Sequence, residues 1–212
     1  MSKSYKAALI VIVILVIDQV SKIVVKTQME LGDSIPVLGN WFIIRYIENP
    51  GMAFGWDIPG QFGKILLSLF RLAAIIGIIW YLRKLIRQNA PALLLLSIAM
   101  ILAGAIGNLL DSSFYGLIFD KGTTYDPEYR RWFGYAGQAL FDFPGYAPLF
   151  KGCVVDMLYF PLFEGNYPSW FPFHAGEHFI FFRPIFNIAD SSITIGVFIV
   201  LIFQKRLFKG LN

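Results

Sequence analysis

The groups with chemistry to offer are carboxylates and carboxamides placed where the chain is most apolar. Asp18 follows the apolar run Ala7–Ile17, and Asn108 and Asp111 close the run that begins at Pro91. Asn187 and Asp190 open a run that continues to Phe203, and Asp156 is embedded in Val154-Val155-Asp156-Met157-Leu158-Tyr159-Phe160. Ionisable residues inside membrane-length apolar segments are costly and by default mark functional sites. Two carboxylates sharing a low-dielectric site cannot both ionise easily, so one keeps its proton. One then acts as base on a water while its protonated partner donates to a carbonyl. Asp156 and Asp190 are the pair expected to do this, with pKa values that belong to the pair.

Each residue also has a structural reading. Asp18 and Lys22 stand four apart on one helix face and could neutralise each other, so a supporting role is expected of them. Gly104 and Gly107 would let membrane helices approach closely, with Asn108 adding an interhelical hydrogen bond. Asp111 is expected near a helix C-terminus, where the macrodipole disfavours a carboxylate, so it needs a donor. Asn187 and Asp190 are three apart at a helix N-terminus, where capping explains Asn187 well. Capping explains Asp190 less, because that residue is already inside the apolar run. Lys64 and Arg71 fit snorkelling or pairing and are assigned no chemistry.

These residues need elements to carry them. The chain has 212 residues, 57% hydrophobic, only 15% charged, with mean hydropathy +0.61. A soluble domain carries about 25% charge, so a membrane protein is expected. Spans of about 20 apolar residues fit Ala7–Lys26, Phe62–Leu82, Pro91–Leu110 and Pro184–Phe203. The first, preceded by Lys3 and Lys6, has the look of a signal peptide. It ends in Asp18-Gln19-Val20-Ser21-Lys22 without a small-x-small cleavage site and is read as an uncleaved span. The short flanks 1–6, 83–90 and 204–212 hold eight basic residues and no acid, whereas 27–61 and 112–186 hold six basic and eleven acidic residues. Both termini and the 83–90 loop are therefore expected to be cytoplasmic, with both long connections outside. That topology puts every buried acid toward the outer side.

The expected fold is a mainly α, four-helix membrane bundle with a small extracytoplasmic β platform, one domain over residues 1–212. Trp41–Ile47, bounded by Gly39-Asn40 and Asn49-Pro50-Gly51, reads as a short strand. The aromatic-rich stretch 119–183 suits a platform at headgroup level. The single cysteine, Cys153, excludes an intramolecular disulfide and reads as a structural thiol. His174-Ala175-Gly176-Glu177-His178 spells the H-x-x-E-H order of inverted zinc peptidases. Gly176 inside it, with Pro172 and Pro184 around it, opposes the helix such ligands need, so a loop and no metal are expected.

Five islands together resemble the lipoprotein signal peptidase (signal peptidase II) family. They are Asp18-Gln19-x-x-Lys22, Asn49-Pro50-Gly51-Met52-Ala53-Phe54, Gly104-Ala105-Ile106-Gly107-Asn108-Leu109-Leu110-Asp111, Val155-Asp156-Met157 and Phe186-Asn187-Ile188-Ala189-Asp190-Ser191. The resemblance implies an aspartic endopeptidase of the bacterial cytoplasmic membrane. It would remove signal peptides from prolipoproteins just before a cysteine carrying diacylglycerol. The implied catalytic pair is Asp156 and Asp190. Asp18, Asn49, Asn108, Asp111 and Asn187, with Lys22, Gly51 and Ala189 in the same islands, are implied to shape the site or contact substrate. No cofactor and no nucleic acid are implied; the partners are lipidated prolipoprotein and membrane lipid, and a monomer is expected.

Two departures stand out. Many members follow the third-span aspartate with Arg, whereas Asp111 here precedes Ser112, leaving Lys22, Arg130, Arg131 or Arg183 as candidate partners for it. The segments 112–155 and 164–183 are also longer than the family's usual connections. The outer strands and the aromatic insert are expected to form a lid and floor around the peptide. A proton-coupled transporter is the competing reading, opposed by the absence of repeats and by acids lying toward one face instead of the midplane. A non-enzymatic assembly subunit, the third reading, would tolerate Asn at positions 156 and 190.

Overall fold

The computed structural model describes residues 2–51, 60–161, 163–170, 173, 176–181 and 184–209. Met52, Ala53 and Phe54 of the second island, together with His174 and Arg183, lie outside these residues.

Among the described residues, four helices are long and apolar enough to cross a membrane: Lys3–Gln28, Phe62–Arg87, Ala92–Ile118 and Ile188–Leu207. The first is α1 (Lys3–Gln28), started by the Ser2 side chain, which accepts from Tyr5 N. The second lies within α2 (Gly60–Arg87). The third joins α3 (Ala92–Leu110), a π-helical turn (Asp111–Tyr115) and the short α4 (Gly116–Ile118). The fourth is α5 (Ile188–Leu207). The third span is much more enclosed than the others, so the remaining helices surround it. Ile12, Val16, Leu66, Phe70, Phe198 and Ile202 all point outward and exposed. In a bilayer those side chains meet lipid tails as apolar as themselves.

Seven of the eight expected span boundaries differ: the first span begins at Lys3 and runs to Gln28, the second runs on to Arg87, the third starts at Ala92 and ends at Ile118, and the fourth runs from Ile188 to Leu207. The third span continues past Leu110 because Asp111 takes the π turn instead of ending the helix. The fourth starts at Ile188, not Pro184, because Ile185–Phe186 forms a strand and Asn187 caps the helix.

A four-stranded antiparallel sheet, whose central strand β5 packs against α1 and the π-helical turn, is built from β1 (Ser34–Leu38), β2 (Phe42–Asn49), β5 (Val154–Tyr159) and β8 (Ile185–Phe186), in that order. Two further antiparallel pairs are β3 (Thr124–Asp126) with β4 (Arg131–Phe133), and β6 (Phe163–Asn166) with β7 (His178–Phe181). β2 pairs with β5 so that Asn49 opposes Val154 and Ile47 opposes Asp156. β8 pairs with β5 so that Phe186 opposes Leu158. Asn187, directly after β8, is thereby delivered beside Asp156.

Two apolar cores bracket the polar residues. Ala7, Ile75, Leu94, Ile98 and Leu102 belong to one, between the helices. Val25, Met29, Tyr46, Tyr115, Phe119 and Val155 belong to the other, under the sheet. Asp18 and Lys22 on α1, and Asn108 and Asp111 on the third span, fall between them.

The aromatic insert is fastened to this frame. Lys26 is fully buried and paired with Glu48 of β2. Its Nζ also donates to Lys121 O at 2.9 Å and to Tyr135 Oη at 3.3 Å. The Phe119, Tyr135 and Tyr146 rings surround the ammonium at 5.0, 5.2 and 5.5 Å. Thr123 N donates to the other Glu48 oxygen at 2.6 Å.

Candidate active site

The site is assembled where α1, α3, α5, β2 and β5 converge. Gly104 and Gly107 set the distance between α3 and α5. A Cβ on Gly104 would stand 2.2 Å from Ala189 O, and one on Gly107 would stand 2.6 Å from Asp18 Oδ2. The expected close packing is therefore present, and its tightest contact is with the first turn of α5.

That first turn is held from outside its own helix. Asp18 Oδ1 accepts from Ala189 N at 2.8 Å, so a carboxylate on α1 satisfies an orphan donor of α5. Asn187 is the N-cap: its Oδ1 accepts from Asp190 N at 2.8 Å, while Asp190 Oδ2 accepts from Asn187 N at 3.4 Å. Asp190 therefore takes part in a reciprocal capping box, a larger capping share than its place in the apolar run suggested.

A chain of carboxamides links the two aspartates. Asn187 Nδ2 donates to Asp156 Oδ1 at 2.7 Å and to Asn108 Oδ1 at 3.2 Å. Asn108 Nδ2 donates to Asp190 Oδ1 at 2.7 Å. The side chain of Asn49 also hydrogen-bonds Asp156. Asn49 is held by Gly51, whose N–H donates to Asn49 Oδ1 at 2.8 Å. Gly51 has φ +107° and a Cβ there would lie 2.7 Å from Leu67 Cδ2, so the turn requires glycine.

Asp156 is 2% exposed and Asp190 is half-buried. Burial, and then the charge of Asp190, push the Asp156 carboxyl up to about 7, against the pull of Lys22 and of the amide hydrogen bonds from Asn49 and Asn187. A carboxyl so placed holds a proton near neutrality. Asp190 accepts its donors at a helix N-terminus, a setting suited to negative charge.

Asp111 finds its donor in Lys22. Lys22 Nζ lies 2.8 Å from Asp111 Oδ2, 2.9 Å from Asp18 Oδ2 and 3.1 Å from Asn108 Oδ1. Arg130 and Arg131 do not serve: both belong to the β3–β4 hairpin, where Arg131 stacks over Tyr129 and Phe133. Because the helix runs on through the π turn, Asp111 is not at a C-terminus, and the dipole objection to it falls away.

Three residues that the sequence reading named without giving them a site role join the network: Gln19, Arg71 and Ser112. Gln19 Nε2 donates to Asp111 Oδ1 at 2.8 Å and to Asp18 Oδ2 at 3.1 Å. Arg71 Nη1 donates to Ser112 Oγ at 2.9 Å, and Ser112 Oγ donates to Asn108 O at 3.0 Å. A polar residue in an apolar run was the available signal for Gln19 and Arg71, but nothing local names their partners.

The other candidate groups lie elsewhere. Cys153 is buried, its Sγ donates to Thr123 O at 3.2 Å, and it receives Lys64 Nζ at 3.1 Å. Burial pushes its thiol up, the opposite of what a nucleophilic thiolate needs. His178 begins strand β7 and Gly176 has φ +77°, so the H-x-x-E-H segment is not helical there.

Comparison with known proteins places these features in company. A family model described as signal peptidase II matches residues 10–206. A lipoprotein signal peptidase of Porphyromonas gingivalis is 47% identical over 203 residues, spanning 94% of this chain and 82% of the relative. That of Amoebophilus asiaticus is 37% identical, spanning 96% and 78%. A bacterial membrane enzyme solved by the in meso method superposes with a TM-score of 0.59 at 23% identity, covering 98% of this chain and 91% of that one. A second such structure gives 0.57 at 24% identity, covering 95% and 93%. At these identities the superpositions speak for the fold alone.

Proposed function

The chain belongs to the signal peptidase II family, and from that premise we propose that it cleaves diacylglyceryl-modified prolipoproteins just before the lipidated cysteine, with Asp156 and Asp190 activating water. The observation that carries this reading is the hydrogen-bonded series Asp156–Asn187–Asn108–Asp190, which ties two carboxyl groups from a strand and a helix into one site.

In this mechanism Asp190 is the base and Asp156 the acid. Asp190 takes a proton from water as the water oxygen attacks the scissile carbonyl carbon, and Asp156 donates its proton to the carbonyl oxygen. The tetrahedral species then collapses. Its C–N bond breaks as the proton on Asp190 passes to the leaving nitrogen of the lipidated cysteine, and Asp156 recovers its own proton from the hydroxyl. Both carboxyls return to their starting states. Asn108 and Asn187 keep the oxygens oriented, and the single ammonium of Lys22, placed between Asp18 and Asp111, offsets part of their charge.

The depth of the site suits a lipidated substrate. Asp111 lies seven residues before the end of its span, about 10 Å along the axis. Acyl chains can remain in lipid while the peptide reaches the carboxyls. The charge bias of the flanks supports cytoplasmic termini, which puts the site toward the outer face of the cytoplasmic membrane. One chain supplies every residue named, which supports a monomer acting as one domain.

The deciding experiment is cleavage of a diacylglyceryl-modified prolipoprotein in detergent by the wild type, Asp156→Asn and Asp190→Asn. Both variants should be inactive while remaining folded, and a zinc chelator should leave the wild type unaffected. Activity that survives either substitution, or that is lost to the chelator, overturns the reading.

A further inference from the structure

Lys64 is a buried cation that the proposed mechanism does not use. It lies in the first turns of α2 and is only 6% exposed. Among the described residues it pairs with no carboxylate. Its Nζ donates to Lys151 O at 2.9 Å and to Cys153 Sγ at 3.1 Å. Neither partner carries the opposite charge. One is a backbone carbonyl; the other is a thiol that burial keeps protonated and that itself donates to Thr123 O at 3.2 Å. Taking an ammonium out of water without a counter-charge is expensive.

A second donor is stranded beside it. Trp132, on β4, sets its ring centroid 4.9 Å from Lys64 Nζ. The indole Nε1 is buried and meets no acceptor among the described residues. A Trp N–H can only donate, and buried donors left unpaired are rare. Lys64 and Trp132 line one cavity of about 70 Å³, with Thr123, Thr124 and Lys151 in its walls and no acid among the described lining residues. Glu48, the carboxylate bonded to Thr123 N, is already taken up by Lys26. The volume is well above the about 10–15 Å³ that one water needs. A water would accept from the donors but bring no charge. An anion satisfies both donors and supplies the charge that Lys64 lacks.

We propose that this cavity binds a small anionic group, of halide to phosphate size, which bridges Lys64 of α2 to Trp132 of β4 and fastens the β3–β4 hairpin to the second span. The site is separate from the Asp156–Asp190 pair and stands whether or not that pair is catalytic. A ligand that binds only the folded state raises stability with its concentration, so the chain should be stabilised by the anion itself and not by ionic strength.

The test uses the full chain in detergent, with sodium gluconate exchanged for sodium bromide at constant ionic strength. The wild-type Tm should rise by at least about 2 °C and then level off, and bromide should quench tryptophan fluorescence with a saturable component. Lys64→Met should lose both responses although Trp132 is still present. Trp132→Phe, which keeps a ring over the ammonium but removes the N–H, should lose the saturable quenching and most of the rise in Tm. Inorganic phosphate and phosphatidylglycerol run as separate arms, because the anionic group can come from solution or from a lipid headgroup. A response to bromide or phosphate assigns a free ion; a response to phosphatidylglycerol alone, lost in Lys64→Met, assigns the headgroup. No response in any arm leaves the cavity to water and overturns the proposal, as do equal responses in wild type and Lys64→Met. Should Lys64→Met fail to fold, Trp132→Phe decides: an undiminished bromide-dependent rise in its Tm overturns the proposal equally.

Discussion

Asn187 Nδ2 stands 2.7 Å from Asp156 Oδ1 while the same residue's Oδ1 caps the helix that carries Asp190. One carboxamide thus orients one aspartate directly and seats the other through the backbone. Asn187→Ala removes both functions at once. Loss of the cap should cost about 1 kcal/mol of stability, whereas kcat should fall at least about a hundredfold because the pair loses its geometry. Measuring thermal stability and kcat on the same preparation checks the split; a kcat loss no larger than the stability loss would contradict it.

Asp156 predicts opposed effects on stability and activity. Its folded carboxyl sits at about 7, above the ordinary carboxylate value. The folded state therefore binds the proton more tightly, and this contribution to stability is lost as pH rises through about 7. Asn cannot ionise, so Asp156→Asn should be inactive yet melt a few degrees higher than wild type at pH 8, a gain that shrinks or vanishes near pH 4. Melting curves at the two pH values check it, and a variant less stable at pH 8 would refute it. The wild-type kcat should also decline above neutrality as the acid loses its proton.

Gly104→Ala should inactivate by displacement. Its Cβ would fall 2.2 Å from Ala189 O, a backbone atom that can yield only if the start of α5 moves. The shift would pull Asp190 from Asn108 and Ala189 N from Asp18. Activity is expected to drop at least about a hundredfold for a displacement near 1 Å. Gly77, whose Cβ would meet nothing within 4 Å, provides the control, and Gly77→Ala should retain activity.

The insert 119–152 should behave as a fixed part of the molecule. Lys26→Met leaves Glu48 buried without its cation, at a cost of about 3–5 kcal/mol. Limited proteolysis should then cut within 119–152 in the variant and spare it in the wild type. Lys26→Met combined with Glu48→Leu should recover much of the loss, since an apolar pair can replace a buried ionic one. Equal protease resistance in wild type and Lys26→Met would show that the clamp holds nothing.

The sequence alone determined where the polar groups had to lie in depth. Apolar run length set the four spans; the expense of an acid in or at the end of one singled out Asp18, Asp111 and Asp190, and apolar neighbours on both sides singled out Asp156. These are local properties that survive without knowledge of any neighbour. The π turn at Asp111 and the strand before Asn187 were not legible, because sheet pairing and helix contact, not propensity, decide them. Only the tertiary structure decided which side chains meet: Lys22 with Asp111, Asn108 with Asp190, Arg71 with Ser112, Lys26 with Glu48. Those meetings depend on how each helix is rotated and how deep it sits relative to the next. That phase is fixed by close contacts such as Gly104 against Ala189, which act between residues far apart in the chain.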